Sequence, residues 1–149
     1  MKTKIKKDWF GREKSKEELH SDSKNWISEI KFINDEIKFL ENLLSCRYID
    51  CVQLGFEKKV KEISKSVSSV KKNSKILLNS IKDHEVILDG LIRTSSVTSN
   101  KNYLHTHQMY EKEMFNFLES YKTTKKEIFI LIKKVITKKE ENNKLALSN

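Results

Sequence analysis

Apolar residues recur at alternating intervals of four and three along most of this chain. In the first third the series is Leu19, Ser23, Trp26, Ile30, Ile33, Ile37, Leu40 and Leu44, the stripe of a long helix packing lengthwise on others. Ser15-Lys16-Glu17-Glu18 precedes it as a capping box, in which the Ser15 hydroxyl accepts from the Glu18 amide and Glu18 reaches back. A first helix is predicted over 15–45. Asp50-Cys51-Val52-Gln53 reads as a second capping box, with Ile49 and Leu54 as its hydrophobic staple, so a short turn is predicted at Cys46 to Ile49. Helix two, over 51–89, shows Val52, Phe56, Val60, Ile63, Val67, Val70, Ser74, Leu77, Ile81, His84 and Leu88, with Gly90 as its stop. Leu91 to Asn102 has the Ser, Thr and Asn content of a loop. Helix three, over 103–141, carries Leu104, His107, Glu111, Met114, Leu118, Tyr121, Lys125, Ile128, Ile132 and Val135, its apolar face widened by Phe115, Phe129 and Ile136. The apolar run Ile128 to Ile132 is read as buried helix, because no second segment here would pair with it as a strand. Residues 1–14 form a basic flexible tail, and 142–149 a frayed end. The expected fold is all-α, an antiparallel up-down-up bundle of three long, coiled-coil-like helices.

Composition agrees with that pattern. Among 149 residues there is no proline and there are three glycines, so little interrupts a helix. Apolar residues make up 37% and charged residues 34%, a balance suited to long thin helices. The net charge of +9 raises the prospect of an acidic partner such as nucleic acid or anionic lipid. The excess is almost all lysine, with arginine only at positions 12, 47 and 93 and alanine only at 146. An AT-rich coding sequence yields the same profile, whereas base and phosphate recognition favours arginine forks. Cys46 and Cys51 read as free thiols. The start MKTKIKKDWF lacks the apolar core of a secretory leader, so a cytoplasmic location is expected. No apolar run approaches the roughly 20 residues needed to span a bilayer.

The histidines are where chemistry is sought. Folding the chain about turns near residues 48 and 95 sets His84 level with His107 on inward stripes, with Glu111 one turn further on the same face. His84, His107 and Glu111 are therefore a candidate metal set, against the alternative of a polar layer that fixes register. The same folding puts His20 roughly 12 Å away along the axis, out of reach. Lys65, Lys71, Lys72, Lys75 and Lys82 follow one another with no acid between Glu62 and Asp83. They are candidate phosphate contacts of a sequence-independent kind, against the alternative of a solvated face. Phe32 and Phe39, one heptad apart and off the main stripe, are either a wide apolar face or a contact surface for a partner. There is no glycine-rich phosphate loop, nucleophile elbow, cysteine pair at metal spacing or acid/base dyad, so neither an enzyme nor a bound cofactor is expected.

Leu19-His20, then Trp26, Glu29 and Phe32, then Asp35-Glu36-Ile37-Lys38-Phe39-Leu40-Glu41-Asn42 resemble a group of short bacterial coiled-coil proteins. The likeness extends loosely through Phe56, His84-Glu85, and Met114, Phe117 and Tyr121. Members often carry a second histidine where Ser23 stands. The resemblance implies a three-helix or long helical-hairpin fold and brings no activity with it. The reading that follows from these features is a non-enzymatic helical scaffold or interaction module with a protein partner or a second copy of itself. Nucleic-acid binding through the lysine face is the alternative, and a metal-binding bundle a further one.

Overall fold

A computed structural model describes residues 14–94 and 101–148, and they fold into three helices packed against each other with no strand among the described residues. They are α1 (Lys16–Gln53), α2 (Glu57–Arg93) and α3 (Lys101–Ser148), arranged as an all-α, up-down-up bundle.

α1 begins as its sequence dictates. The Ser15 amide donates to Glu18 Oε1 at 2.8 Å, and the Glu18 amide donates to Ser15 Oγ at 3.2 Å, so two otherwise unpaired amides of the first turn are satisfied reciprocally. Its end lies further on than the predicted turn. Residues 46–53 remain helical, and the Asp50 capping box does not form, because Gly55 ends the helix instead. Gly55 adopts φ 88°, its amide donates to the Val52 carbonyl at 3.2 Å, and the Phe56 amide donates to the Cys51 carbonyl at 2.7 Å. This pair of bonds is the Schellman arrangement, which a left-handed glycine permits without Cβ strain. The link between α1 and α2 is thus Leu54 to Phe56, about two helical turns later than the sequence pattern suggests. Asp50, freed from capping, accepts from Lys139 Nζ at 3.1 Å.

Gly90 lies inside α2, which continues to Arg93, so it is not the stop. The expected loop therefore shortens: 91–93 and 101–102 are helical, and residues 95–100 lie outside those described. At the far end α3 continues through the segment predicted to fray, up to Ser148. The expected tail lies outside the described residues except for Lys14.

The chain divides into two compact units. One comprises Met1–Phe32 and Ser74–Phe117, the other Ile33–Asn73 and Leu118–Asn149. Every helix contributes to each. The first unit buries Leu19, Ser23 and Ile30 of α1, Leu77, Ile81, His84 and Leu88 of α2, and Tyr103, His107, Met114 and Phe117 of α3. The second buries Ile33, Ile37, Leu40 and Leu44 of α1, Val60, Ile63, Val67 and Val70 of α2, and Tyr121, Ile128, Leu131, Ile132 and Val135 of α3. Each fully buried aliphatic side chain stabilises by about 1.5 to 3 kcal/mol before the cost of ordering it. In α3 the stripe differs from expectation at Phe115 and Phe129, which are exposed, while Phe117, Thr124 and Leu131 take inward positions.

Candidate functional site

The first unit holds a buried polar chain in the midst of its apolar stripes. His84, on α2, and His107, on α3, are both buried, and His84 Nε2 lies 2.8 Å from His107 Nδ1. His107 Nε2 lies 3.0 Å from Asp22 Oδ2 on α1, and the same oxygen accepts from Lys14 Nζ at 2.7 Å. Lys14 also donates to Glu111 Oε2 at 3.1 Å. Three helices and the residue before the α1 cap are therefore tied by one run of hydrogen bonds.

The chemistry of the groups sets the direction of that run. A carboxylate only accepts, so His107 Nε2 donates to Asp22. With a single proton on His107, its Nδ1 is an acceptor, and His84 Nε2 donates to it. Aromatic rings wall the pair. His84 stacks on Tyr103 with centroids 4.2 Å apart and meets Tyr110 edge-on at 5.0 Å, while Trp26 lies 4.8 Å from His107. Burial and the neighbouring His107 push the His84 pKa down to about 4, so this ring is neutral at pH 7. At Asp22 burial works against the charge, but the hydrogen bonds from His107 and Lys14 outweigh it and hold the carboxyl below its ordinary range. Lys14 mirrors this: burial lowers its pKa, and Asp22 with Glu111 more than restore it, so the ammonium is held above its usual value. Burial, followed by the charges of Glu85 and Asp89, raises the Tyr103 phenol.

The sequence pattern brings His84 and His107 together, and the structure joins them. Of the expected metal set of His84, His107 and Glu111, the two histidines meet each other and Glu111 meets Lys14. The facing nitrogens of the two histidines are spent on each other, the remaining His107 nitrogen is held by Asp22, and Glu111 is drawn to Lys14. Among the described residues no group of three His, Cys, Asp or Glu side chains is disposed to hold a metal ion. The arrangement is a buried polar layer that joins α1, α2 and α3.

Lys14, Asp22 and His20 escaped the sequence reading, which placed Lys14 in the tail. Asp22 sits one residue before the stripe position Ser23, and only the register between α1 and α3 reveals its partner. His20 is not remote: its Nδ1 lies 2.6 Å from Glu85 Oε2. Folding about residue 48 sets His20 opposite residue 76, about nine residues short of Glu85, whereas folding about Gly55 sets it opposite residue 90 and narrows the mismatch to about five.

The surface candidates are where solvent reaches them. Phe32 is 64% exposed and Phe39 62% exposed, on α1. Lys65, Lys71, Lys72, Lys75 and Lys82 are all exposed on α2, and Lys71 Nζ meets Glu41 Oε1 at 3.3 Å. In the second unit Glu36 accepts from Lys125 Nζ at 2.9 Å and from the Tyr121 hydroxyl. These two bonds lower the Glu36 pKa, and burial, then the Glu36 bond, raises that of Tyr121. No helix among the described residues is long and apolar enough to cross a membrane. Compared with known proteins, the chain matches no family model, no curated protein and no solved structure.

Proposed function

We propose that this protein is a non-enzymatic helical module that works by presenting helix faces to a protein partner or to a second copy of itself. One observation carries the reading: two phenylalanines one heptad apart on α1, Phe32 and Phe39, are 64% and 62% exposed, although most buried positions on the same helix are filled by Leu and Ile. A phenylalanine left in water forgoes roughly 2 to 3 kcal/mol of burial, which association recovers. The buried histidine chain fits the same reading, since it ties α1, α2 and α3 to one another. The resemblance of the first helix to bacterial coiled-coil proteins implies a three-helix or helical-hairpin fold and brings no activity.

Light scattering after size-exclusion chromatography, combined with pull-down, tests the proposal on wild type and on Phe32→Ser/Phe39→Ser. A complex or oligomer formed by wild type and lost in the double variant is the expected result. Monomer in both, with no partner recovered, overturns it.

The exposure of Lys65, Lys72, Lys75 and Lys82 supports a second reading, sequence-independent binding of nucleic acid. That reading requires an affinity falling steeply with salt, and no binding at low salt removes it.

A further inference from the structure

The outer face of α3 in the second unit carries a feature that the proposed function does not use. Lys122, Lys126, Phe129, Ile130 and Lys133 follow the spacing i, i+4, i+7, i+8, i+11, so they share one side of the helix. Phe129 is 46% exposed and Ile130 53% exposed. Together with Lys125 they line a shallow depression of about 410 Å³. The one acid between Lys122 and Lys133, Glu127, is directed to Lys59 of α2 at 3.7 Å. Lys125 is spent on Glu36, whereas Lys122, Lys126 and Lys133 have no acidic partner among the described residues. Two large apolar side chains thus stand in water inside a frame of free positive charge.

We infer that this face of α3 docks on an anionic lipid surface, with Phe129 and Ile130 entering the headgroup layer and Lys122, Lys126 and Lys133 lying against its negative charge. Charge decides the class of occupant. A second copy would set lysines against lysines, and the whole chain carries +9, so self-association through this face is opposed. Shape narrows it further. All six lining residues come from one helix, so there is no second wall to grip a peptide, while a plane laid on the outside of the helix meets Lys122, Lys126, Phe129, Ile130 and Lys133. The residue types complete the argument. Lysine is a flexible point charge suited to a fluid array of headgroups, where the fixed fork of arginine has no advantage. An aliphatic Ile130 gains nothing from stacking on nucleic-acid bases, but in the headgroup layer its apolar surface is buried beside that of Phe129.

Vesicle co-sedimentation of the full chain tests this, using neutral phosphatidylcholine vesicles and vesicles with about one-third phosphatidylglycerol. Binding is expected to the anionic vesicles only and to weaken steeply with added salt. Neutralising each of Lys122, Lys126 and Lys133 to Gln is expected to weaken it about fivefold. Phe129→Ser/Ile130→Ser, which removes only exposed side chains, is expected to weaken it at least about tenfold with circular dichroism unchanged. Absence of binding to the anionic vesicles at low salt overturns the inference. So does vesicle binding indifferent to the apolar pair, and so does binding of a single-stranded oligonucleotide in place of vesicles. Because the Phe32→Ser/Phe39→Ser variant leaves this face intact, the two proposals stand or fall separately.

Discussion

His84 shows how one residue's surroundings become a property of the whole fold. In an unfolded chain its imidazole binds a proton near pH 6.5, but in the native protein it does so only near pH 4, because burial and His107 oppose the charge. Above pH 6.5 neither state is protonated, and the neutral ring contributes its full packing and its hydrogen bond. As pH falls from 6.5 towards 4, the unfolded chain takes up a proton that the native protein refuses, so stability is lost across that window. The loss approaches about 1.4 kcal/mol per pH unit and totals roughly 3 kcal/mol. Asp22 acts in the same direction lower down: its depressed pKa contributes stability above the ordinary carboxyl range that disappears on acidification through it. Urea unfolding between pH 7.5 and 4.5 is expected to show this decline in wild type and a shallower one in His84→Leu. A wild-type profile flat between pH 6.5 and 4.5 would contradict a neutral buried His84.

At the level of elements, the two described glycines are expected to respond to alanine with opposite signs. Gly55 holds φ 88° at the end of α1, and a Cβ there meets nothing within 4 Å, so the cost of Gly55→Ala is backbone strain alone, about 1 kcal/mol. Gly90 sits inside α2 with nothing within 4 Å of its Cβ position, so Gly90→Ala is expected to stabilise by about 0.5 to 1 kcal/mol. Thermal unfolding of the two variants checks both, and equal signs would contradict the assignment of the turn. These glycines also explain how far the sequence was legible. Periodicity named the inward residues of α1 almost one by one, and the Ser15 cap is where the capping box put it. The turn was misplaced because Asp50-Cys51-Val52-Gln53 satisfies a local helix-start pattern, yet the stripe simply continues through Cys51, which is buried. Local capping chemistry competed with a left-handed glycine five residues on, and the glycine won. That displacement added to the apparent separation of His20 and Glu85. Asp22, which holds His107, and Lys14, which holds Asp22, were hidden for another reason: they flank the stripe of α1 rather than belonging to it, and pairing across helices is not written in the spacing of any one of them. Phe115 and Phe129 were misread because an aromatic residue near an apolar stripe looks the same whether it turns in or out.

For the molecule as a whole, few apolar residues are available, and the described ones sort into two populations. The inward stripes of α1, α2 and α3 hold each unit together, and a second set of large apolar side chains, Phe32 and Phe39 among them, stays in water. That division is the basis for reading the chain as a module whose outer faces serve association while its inner ones serve folding. It is tested most directly by the urea unfolding free energy of Phe32→Ser/Phe39→Ser against wild type at low protein concentration, where association does not contribute. The account predicts a difference within about 0.5 kcal/mol, as for other exposed positions. A loss of about 3 kcal/mol or more, the magnitude that removing a packed phenylalanine brings, would mean that these rings belong to the core and would contradict it.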